Sequence, residues 1–363
     1  MKILFLIDNL GSGGAQRQLT TIAPKLQEKG HPVEVLCYGL GDFFLSPLIK
    51  KGIRVHYIEA HNPILRMFKI RRFIRTHSFD SVVSFLSTPD FLNCFAAIGK
   101  HNWRVITSER SGFEQNFKGL KNKIYCRSRS LCDKVICNSF AASKMWERHY
   151  PSYRPRLSVI YNSVSIPEVT SKYEIRRGGK THIVVSASYQ SIKNPTGLIE
   201  AVHLLSDIEK TKLRIEWYGK RSVTHGGTKY FIEAQRLVGF YNLEDTIKLN
   251  ARTQKMSEVM HRADVVALVS QYEGLPNSIC EAMSLSKPIL MSKVSDYDKL
   301  VDPFNGYLCE WDNPQSIADA LSKLIALSDE RLLEMGRNSK LKASTLFCEE
   351  KITQQWIEAI QKT

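Results

Sequence analysis

Short, nearly continuous apolar runs alternate with longer stretches of helical period along this chain. In the first half the runs are Lys2 to Ile7, Val33 to Cys37, Val55 to Ile58, Ser81 to Phe85, Val105 to Ser108 and Lys134 to Asn138. Helix-like segments such as Ala15 to Lys29 and Phe91 to Gly99 separate them. Strands that are apolar on both faces and punctuated by helices predict parallel sheets covered on both sides. The pattern restarts at Thr181 to Ser186 and continues through Leu213 to Tyr218, Ile247 to Leu249, Val265 to Val269, Pro288 to Met291 and Gly306 to Cys309. Between the halves, residues 167–180 break the period and read as a linker. From Glu349 to Lys362, Ile352, Trp356, Ile357 and Ile360 fall at helical spacing. The expectation is an α/β chain of two Rossmann-like, doubly wound domains facing a cleft, 1–166 and 181–344, with a closing helix in 345–363.

Length and charge agree with two domains of unequal character. The 363 residues suffice for two separate cores. Of the formal +15 charge, residues 1–165 carry +14 (25 Lys+Arg against 11 Asp+Glu). So lopsided a field implies an anionic partner for the first half, a membrane surface, a phosphorylated acceptor or nucleic acid, unless it is simply a solvated basic face. The eight cysteines form no C-x-x-C pair and no zinc-like spacing with histidine, so they read as reduced, buried small side chains. The opening run from Ile3 is interrupted at Asp8, too soon for a leader or a membrane span, and no other run approaches spanning length. A cytoplasmic protein is expected, with peripheral membrane contact open.

Ligands of doubly wound sheets bind beyond the carboxyl ends of the strands, and the candidate loops lie there. Gly11-Ser12-Gly13-Gly14-Ala15-Gln16 follows the first strand and resembles a phosphate cradle at a helix start. A dinucleotide fingerprint would need glycine in place of Gln16, and Glu34 lies within the second strand, so an NAD site is disfavoured. Glu109-Arg110 follows the fifth run. Lys193-Asn194 follows the strand that opens the second domain, where a flexible ammonium can neutralise a diphosphate. Glu273 and Glu281, in Glu273-Gly274-Leu275-Pro276-Asn277-Ser278-Ile279-Cys280-Glu281, place one carboxylate on a loop and one on a helix. Two acids at a concave corner suit the vicinal hydroxyls of a sugar and a ribose. The same residues also fit a capping box, Ser278-x-x-Glu281.

Two basic clusters occupy the first half. Arg66 to Arg75 carries five basic residues around Met67, Ile70, Phe73 and Ile74, a pattern that fits either a helix on an anionic bilayer or the core-facing side of a surface helix. The second cluster is Lys118, Lys121, Lys123, Arg127 and Arg129, placed to flank an acceptor site.

Together these motifs resemble the GT-B glycosyltransferases of the retaining family 4 type. The resemblance rests on Gly13-Gly14-Ala15-Gln16, Val159-Ile160-Tyr161-Asn162-Ser163, Lys193-Asn194, the stretch Glu273 to Pro288 with its E-x7-E, Ser295-Asp296 and Asn305-Gly306-Tyr307-Leu308. In Ser84 to Thr88 and Ser108-Glu109-Arg110-Ser111 the first half also resembles bacterial enzymes that extend polyprenyl-diphosphate-linked oligosaccharides. The resemblance implies a nucleotide-diphosphate sugar as co-substrate, more often UDP-linked, a lipid-linked glycan as acceptor, and neither metal nor other cofactor. Donor-binding residues would be Gly13, Gly14, Lys193, Asn194, Arg252, Glu273, Gly274, Leu275 and Glu281, with Glu281 on ribose, Glu273 on the transferred sugar and Lys193 on the diphosphate. Gln16, Glu109 and Arg110 would bind acceptor, and Glu273, Arg110 and Lys193 would carry the chemistry. The last helix would cross back to the first domain, making the chain a hinge that closes on both substrates and excludes water.

The chain departs from that family at two positions. Ser188 stands where an arginine usually precedes the lysine, leaving Arg252 or Arg110 to replace the missing cation. Arg110 stands where a histidine often follows Ser-Glu, and an arginine binds oxygen anions but cannot act as a base at neutral pH. Two rival readings remain, a nucleotide-sugar epimerase of similar shape and a basic nucleic-acid-binding protein. The second lacks any recognised motif of interleaved aromatic and basic residues.

Overall fold

The computed structural model describes residues 1–164, 169, 172–222 and 226–361. The chain forms two compact units, Met1–Ser163 joined by the residues from Cys348 onward, and Val164–Phe347. Unit 1 is built on seven parallel strands: β1 (Ile3–Leu6), β2 (Val33–Cys37), β3 (Arg54–Tyr57), β4 (Ser81–Phe85), β5 (Arg104–Glu109), β6 (Lys134–Cys137) and β7 (Leu157–Val159), in the order β3-β2-β1-β4-β5-β6-β7. Every residue of β1, β2 and β4 is buried, as expected for central strands with helices on both faces. Unit 2 repeats the design with β8 (Thr181–Ser186), β9 (Leu213–Gly219), β10 (Ile247–Ala251), β11 (Val265–Leu268), β12 (Ile289–Ser292) and β13 (Gly306–Cys309), in the order β10-β9-β8-β11-β12-β13.

Each sheet reverses its winding once, between β1 and β4 in unit 1 and between β8 and β11 in unit 2. The loops after those strands diverge to opposite faces and leave a crevice. Register holds the two members of each pair level, with Leu6 opposite Ser84 and Val185 opposite Ala267.

Local sequence explains how several helices start. Asn-Pro recurs as cap and first helical residue: Asn62, Asn194 and Asn313 accept from backbone N–H groups of the helices Pro63–Thr76, Pro195–His203 and Pro314–Ala326. The asparagine carbonyl satisfies an orphan donor, and proline at the next position has no N–H to satisfy.

Two features differ from the sequence reading, and a third decides between the alternatives left open for Arg66 to Arg75. β7 is a seventh strand in unit 1; with three half-buried residues at the sheet edge, it offers no apolar run to detect. The expected linker 167–180 is anchored over its later part. Tyr173 donates through its hydroxyl, and Arg176 through its backbone, to Asp264 Oδ1 at 3.0 Å each, and Arg176 pairs with Asp329 at 3.1 Å. Residues 167, 168, 170 and 171 lie outside the described residues. The stripe within Arg66 to Arg75 faces the core: Ile70 and Ile74 are fully buried, and Met67 and Phe73 pack against the unit 1 core. The exposed apolar residues of that helix are Ile64, Leu65 and Phe68 instead.

The helix Glu349–Ile360 belongs to unit 1. Ile352, Trp356 and Ile360 are buried, Trp356 stacks on Phe85 at 6.0 Å between centroids, and Ser81 Oγ donates to the Ile360 carbonyl at 3.0 Å.

Candidate functional site

At the unit 2 switch point, Lys193 and Glu273 meet. Lys193 ends a 3-10 turn after β8, and Glu273 lies in the loop after β11; Nζ and Oε1 are 2.6 Å apart with both side chains largely enclosed. The neighbouring loops are tied together. Gln271 N–H donates to the Ile192 carbonyl at 2.8 Å, Ser292 Oγ to the Ser270 carbonyl at 2.6 Å, and Ser295 Oγ to the Gly274 carbonyl. Asn194 Nδ2 donates to the Trp311 carbonyl at 2.6 Å, while its Oδ1 caps the next helix. Four strand ends, those of β8, β11, β12 and β13, are thus held at one rim. Asn194 serves that rim as an architectural residue, because its side-chain oxygen and nitrogen are both engaged within the protein.

The capping box is not formed. The helix Asn277–Ser284 is entered from Pro276, with no side-chain cap, so Ser278 lies inside the first turn and Glu281 in the second. The turn Gly274–Pro276 is buried and leads directly into that helix start. The donor-side candidates Lys193, Asn194, Glu273, Gly274, Leu275 and Glu281 therefore cluster on two adjacent strand ends and the helix that follows. Arg252 lies just past β10, on the same carboxyl edge but at its border. Ser188 is half-buried after β8. The loop after β9 contributes two cations at that edge, Lys220 and Arg221, the latter over the Phe231 ring at 4.6 Å from its centroid. Arg221 carried no sequence signal, since no motif surrounds it. Gly13 and Gly14 lie at the start of the first helix of unit 1, where Gly13 lies against the Gln16 side chain.

At the unit 1 switch point a cavity of about 470 Å³ opens. Its lining comes from four strand ends: Asp8 after β1, Tyr38 after β2, Leu86 to Pro89 after β4, and Glu109 to Ser111 at β5, with Arg66 and Asn116 closing it. Gln16 supports Asp8, donating to Oδ1 at 3.2 Å, and burial raises the Asp8 carboxyl above its ordinary value. Arg110 donates through Nε to Ser108 Oγ at 2.6 Å and through Nη1 to Asn162 Oδ1 at 2.9 Å, and its guanidinium lies over the rings of Phe85 and Trp356. Burial pulls its pKa down to about 10, so it stays cationic at neutral pH.

Glu109 lines the cavity, but its carboxylate is already satisfied. Oε1 accepts from Ser111 N and Oγ at 3.0 Å each, and Oε2 from Arg129 Nη1 at 3.1 Å and Trp146 Nε1 at 3.0 Å. Its part is to shape the loop that carries Arg110 and Ser111. Arg129, expected in a basic cluster flanking the acceptor site, is buried; its other terminal nitrogen holds Asp90 at 2.5 Å. One guanidinium thereby fastens both cavity walls from beneath, the helix Ser87–Ala96 through Asp90 and the β5 loop through Glu109. Sequence reading singled out neither Asp8, Tyr38 nor Arg66 as a cavity residue, because they converge only when β1, β2 and β4 align.

The family described as Glycosyltransferase Family 4 matches residues 12–166, and the family described as Glycosyl transferases group 1 matches residues 168–342. The protein is a GT-B glycosyltransferase. Among similar proteins, this glycosyltransferase is 23% identical, over 97% of each chain, to the Campylobacter jejuni N-acetylgalactosamine-N,N'-diacetylbacillosaminyl-diphospho-undecaprenol 4-alpha-N-acetylgalactosaminyltransferase. It is 20% identical, over 98% of each chain, to an amylovoran biosynthesis glycosyltransferase of Erwinia amylovora. Its fold is similar to that of Anabaena HepE solved in complex with UDP-glucose, with a TM-score of 0.86 at 20% identity over 99% of this chain and 98% of that one. Among the described residues no helix is long and apolar enough to cross a membrane, and no group of three or more His, Cys, Asp or Glu side chains is placed to hold a metal.

Proposed function

We propose that this glycosyltransferase moves a hexosyl unit from a UDP-sugar to a lipid-linked glycan, with retention and without a metal. The observation that carries the reading is the Lys193–Glu273 pair at the unit 2 switch point, where a cation and a carboxylate satisfy each other. A nucleotide-sugar supplies a partner to each: the diphosphate attracts the ammonium and the sugar hydroxyls donate to the carboxylate. Glu281, one turn into the adjoining helix, accepts from ribose hydroxyls. Lys220, Arg221 and Arg252, at the same edge, take the place of the arginine absent at Ser188. In the transfer step the acceptor oxygen bonds to the anomeric carbon as the bond to the diphosphate oxygen breaks, and the acceptor proton passes to the departing phosphate on the same face. Fixed cations stabilise the charge that develops on that oxygen. Supporting relatives include enzymes named for undecaprenol-diphosphate glycans and solved neighbours that bind UDP or UDP-glucose.

The test is a donor screen over UDP-, GDP- and ADP-sugars with two variants. Glu281→Ala is expected to weaken nucleotide binding about 10-fold, the loss of one charge-assisted pair of hydrogen bonds. Glu273→Ala is expected to lower kcat about 100-fold with a smaller effect on nucleotide affinity. Unchanged kinetics in both variants would remove the donor assignment.

For the basic unit we propose a cytoplasmic, peripheral seat on an anionic membrane surface, through Ile64, Leu65 and Phe68 with Arg72 beside them. Arg71 is not available for this, since it donates to the carbonyls of Phe95, Ala96 and Ile98. Phe68→Ser combined with Arg72→Glu is expected to reduce sedimentation with phosphatidylglycerol vesicles severalfold; undiminished binding would exclude that helix.

A further inference from the structure

We propose that the unit 1 cavity is a glycosyl phosphate site, in which Arg66, Arg110 and Tyr38 hold the phosphate and Asp8 accepts from a sugar hydroxyl. The inference rests on the reading of unit 1 as the acceptor side and names the chemistry it selects.

Three residues lining the cavity keep a buried polar atom without a hydrogen-bond partner: the Tyr38 hydroxyl, Arg66 Nε and Arg110 Nη2. All three are donors, and buried donors are rarely left unmatched in a folded protein. They are also gathered. The Arg66 guanidinium lies 4.7 Å from the centre of the Tyr38 ring, and Arg110 is held in place by Ser108 and Asn162. The missing partner is therefore an acceptor group large enough to face two guanidinium forks, and a phosphate has that geometry.

A second observation points the same way. The ten-residue helix Ser87–Ala96 begins at the cavity and has no side-chain cap; its cap residue is Leu86, held at φ 79°. A non-glycine residue in that region is strained, and the strain turns the chain so that the Ser87 and Thr88 end of the helix lines the cavity. The positive end of a helix dipole and two hydroxyls are thus added to the arginines.

The acidic groups around the cavity fix the rest of the ligand. Glu109 and Asp90 are committed to Arg129, so they do not bind. Asp8 keeps Oδ1 engaged with Asn9 N–H and Gln16 and presents a carboxylate that a bare anion would avoid. A ligand with hydroxyls beside its phosphate satisfies both signs, which selects a sugar carrying phosphate over free phosphate.

The experiment is calorimetric titration of the whole protein at saturating UDP, which occupies the donor side, using N-acetylglucosamine 1-phosphate, inorganic diphosphate, inorganic phosphate and N-acetylglucosamine. Phosphorylated probes are expected to bind at least 10-fold more tightly than the neutral sugar, and Arg66→Gln and Tyr38→Phe to weaken them at least 5-fold while leaving UDP affinity unchanged. The sugar phosphate is expected to exceed inorganic phosphate at least 5-fold, an advantage that Asp8→Asn removes. Phosphate binding that is absent, or indifferent to Arg66→Gln and Tyr38→Phe, overturns the site; equal affinity for sugar phosphate and free phosphate overturns the glycosyl part. Loss of UDP-sugar turnover with intact phosphate binding would fault the donor reading instead, so the two fail separately.

Discussion

At the scale of the residue, the unit 2 site is built from a cation and a carboxylate that meet across neighbouring strand ends. Lys193 and Glu273 meet because β8 and β11 are neighbours, a pairing that a separation of 80 positions along the chain does not display. Arg129 illustrates the limit: in the sequence it is one of a run of surface-like cations, yet it is buried against two carboxylates. Replacing it by Met would leave both acids unpaired, with an expected cost of about 3–5 kcal/mol, measured by denaturant unfolding. Glu216 provides a pH signature. Its hydrogen bond from His182, helped by Arg214, holds it down to about 2 against an ordinary value of 4.5. The folded protein binds fewer protons than the unfolded chain between those values, so this contribution is complete above pH 4.5 and is lost as pH falls toward 2. For a partly solvated group we expect about 1–2 kcal/mol. Glu216→Gln should lower stability at pH 7 by that amount and flatten the acid limb of stability against pH.

At the scale of the element, periodicity identified twelve strands, most of them central and apolar on both faces, and it passed over β7, an edge strand of only three half-buried residues. Asparagine before proline caps three helices of the structure. The proposed cap at Ser278 failed, since the buried turn Gly274–Pro276 leads into the helix without a side-chain cap. Gly336, inside the helix Asp329–Leu346, offers a test of packing against propensity. Alanine normally stabilises a helix interior, but here its Cβ would lie 2.2 Å from the Ser286 carbonyl oxygen, on backbone that cannot swing aside. Gly336→Ala should therefore destabilise unit 2 by about 1–3 kcal/mol, read as a lowered midpoint in thermal unfolding.

At the scale of the molecule, unit 1 is discontinuous. Its final helix supplies Ile352, Trp356 and Ile360 to a core begun more than 250 residues earlier, and Trp356 packs beneath the guanidinium of Arg110. Ending the chain after Phe347 would remove three large buried side chains, together worth about 5 kcal/mol, a figure comparable to the stability of a whole domain. The expected outcome is loss of the unit 1 unfolding transition while that of unit 2 persists, seen by calorimetry. By itself the sequence determined two doubly wound units, the strand-end loops able to carry chemistry, and the charge imbalance between halves. Those properties follow from local period and composition, which neighbouring residues encode. Tertiary structure alone decided which loops share a switch point, that Glu109 and Arg129 spend their charge internally, and that Asp8, Tyr38, Arg66 and Arg110 surround one cavity. Parallel strands joined by helices bring together residues far apart in the chain, and such convergence depends on strand order, which no local pattern specifies.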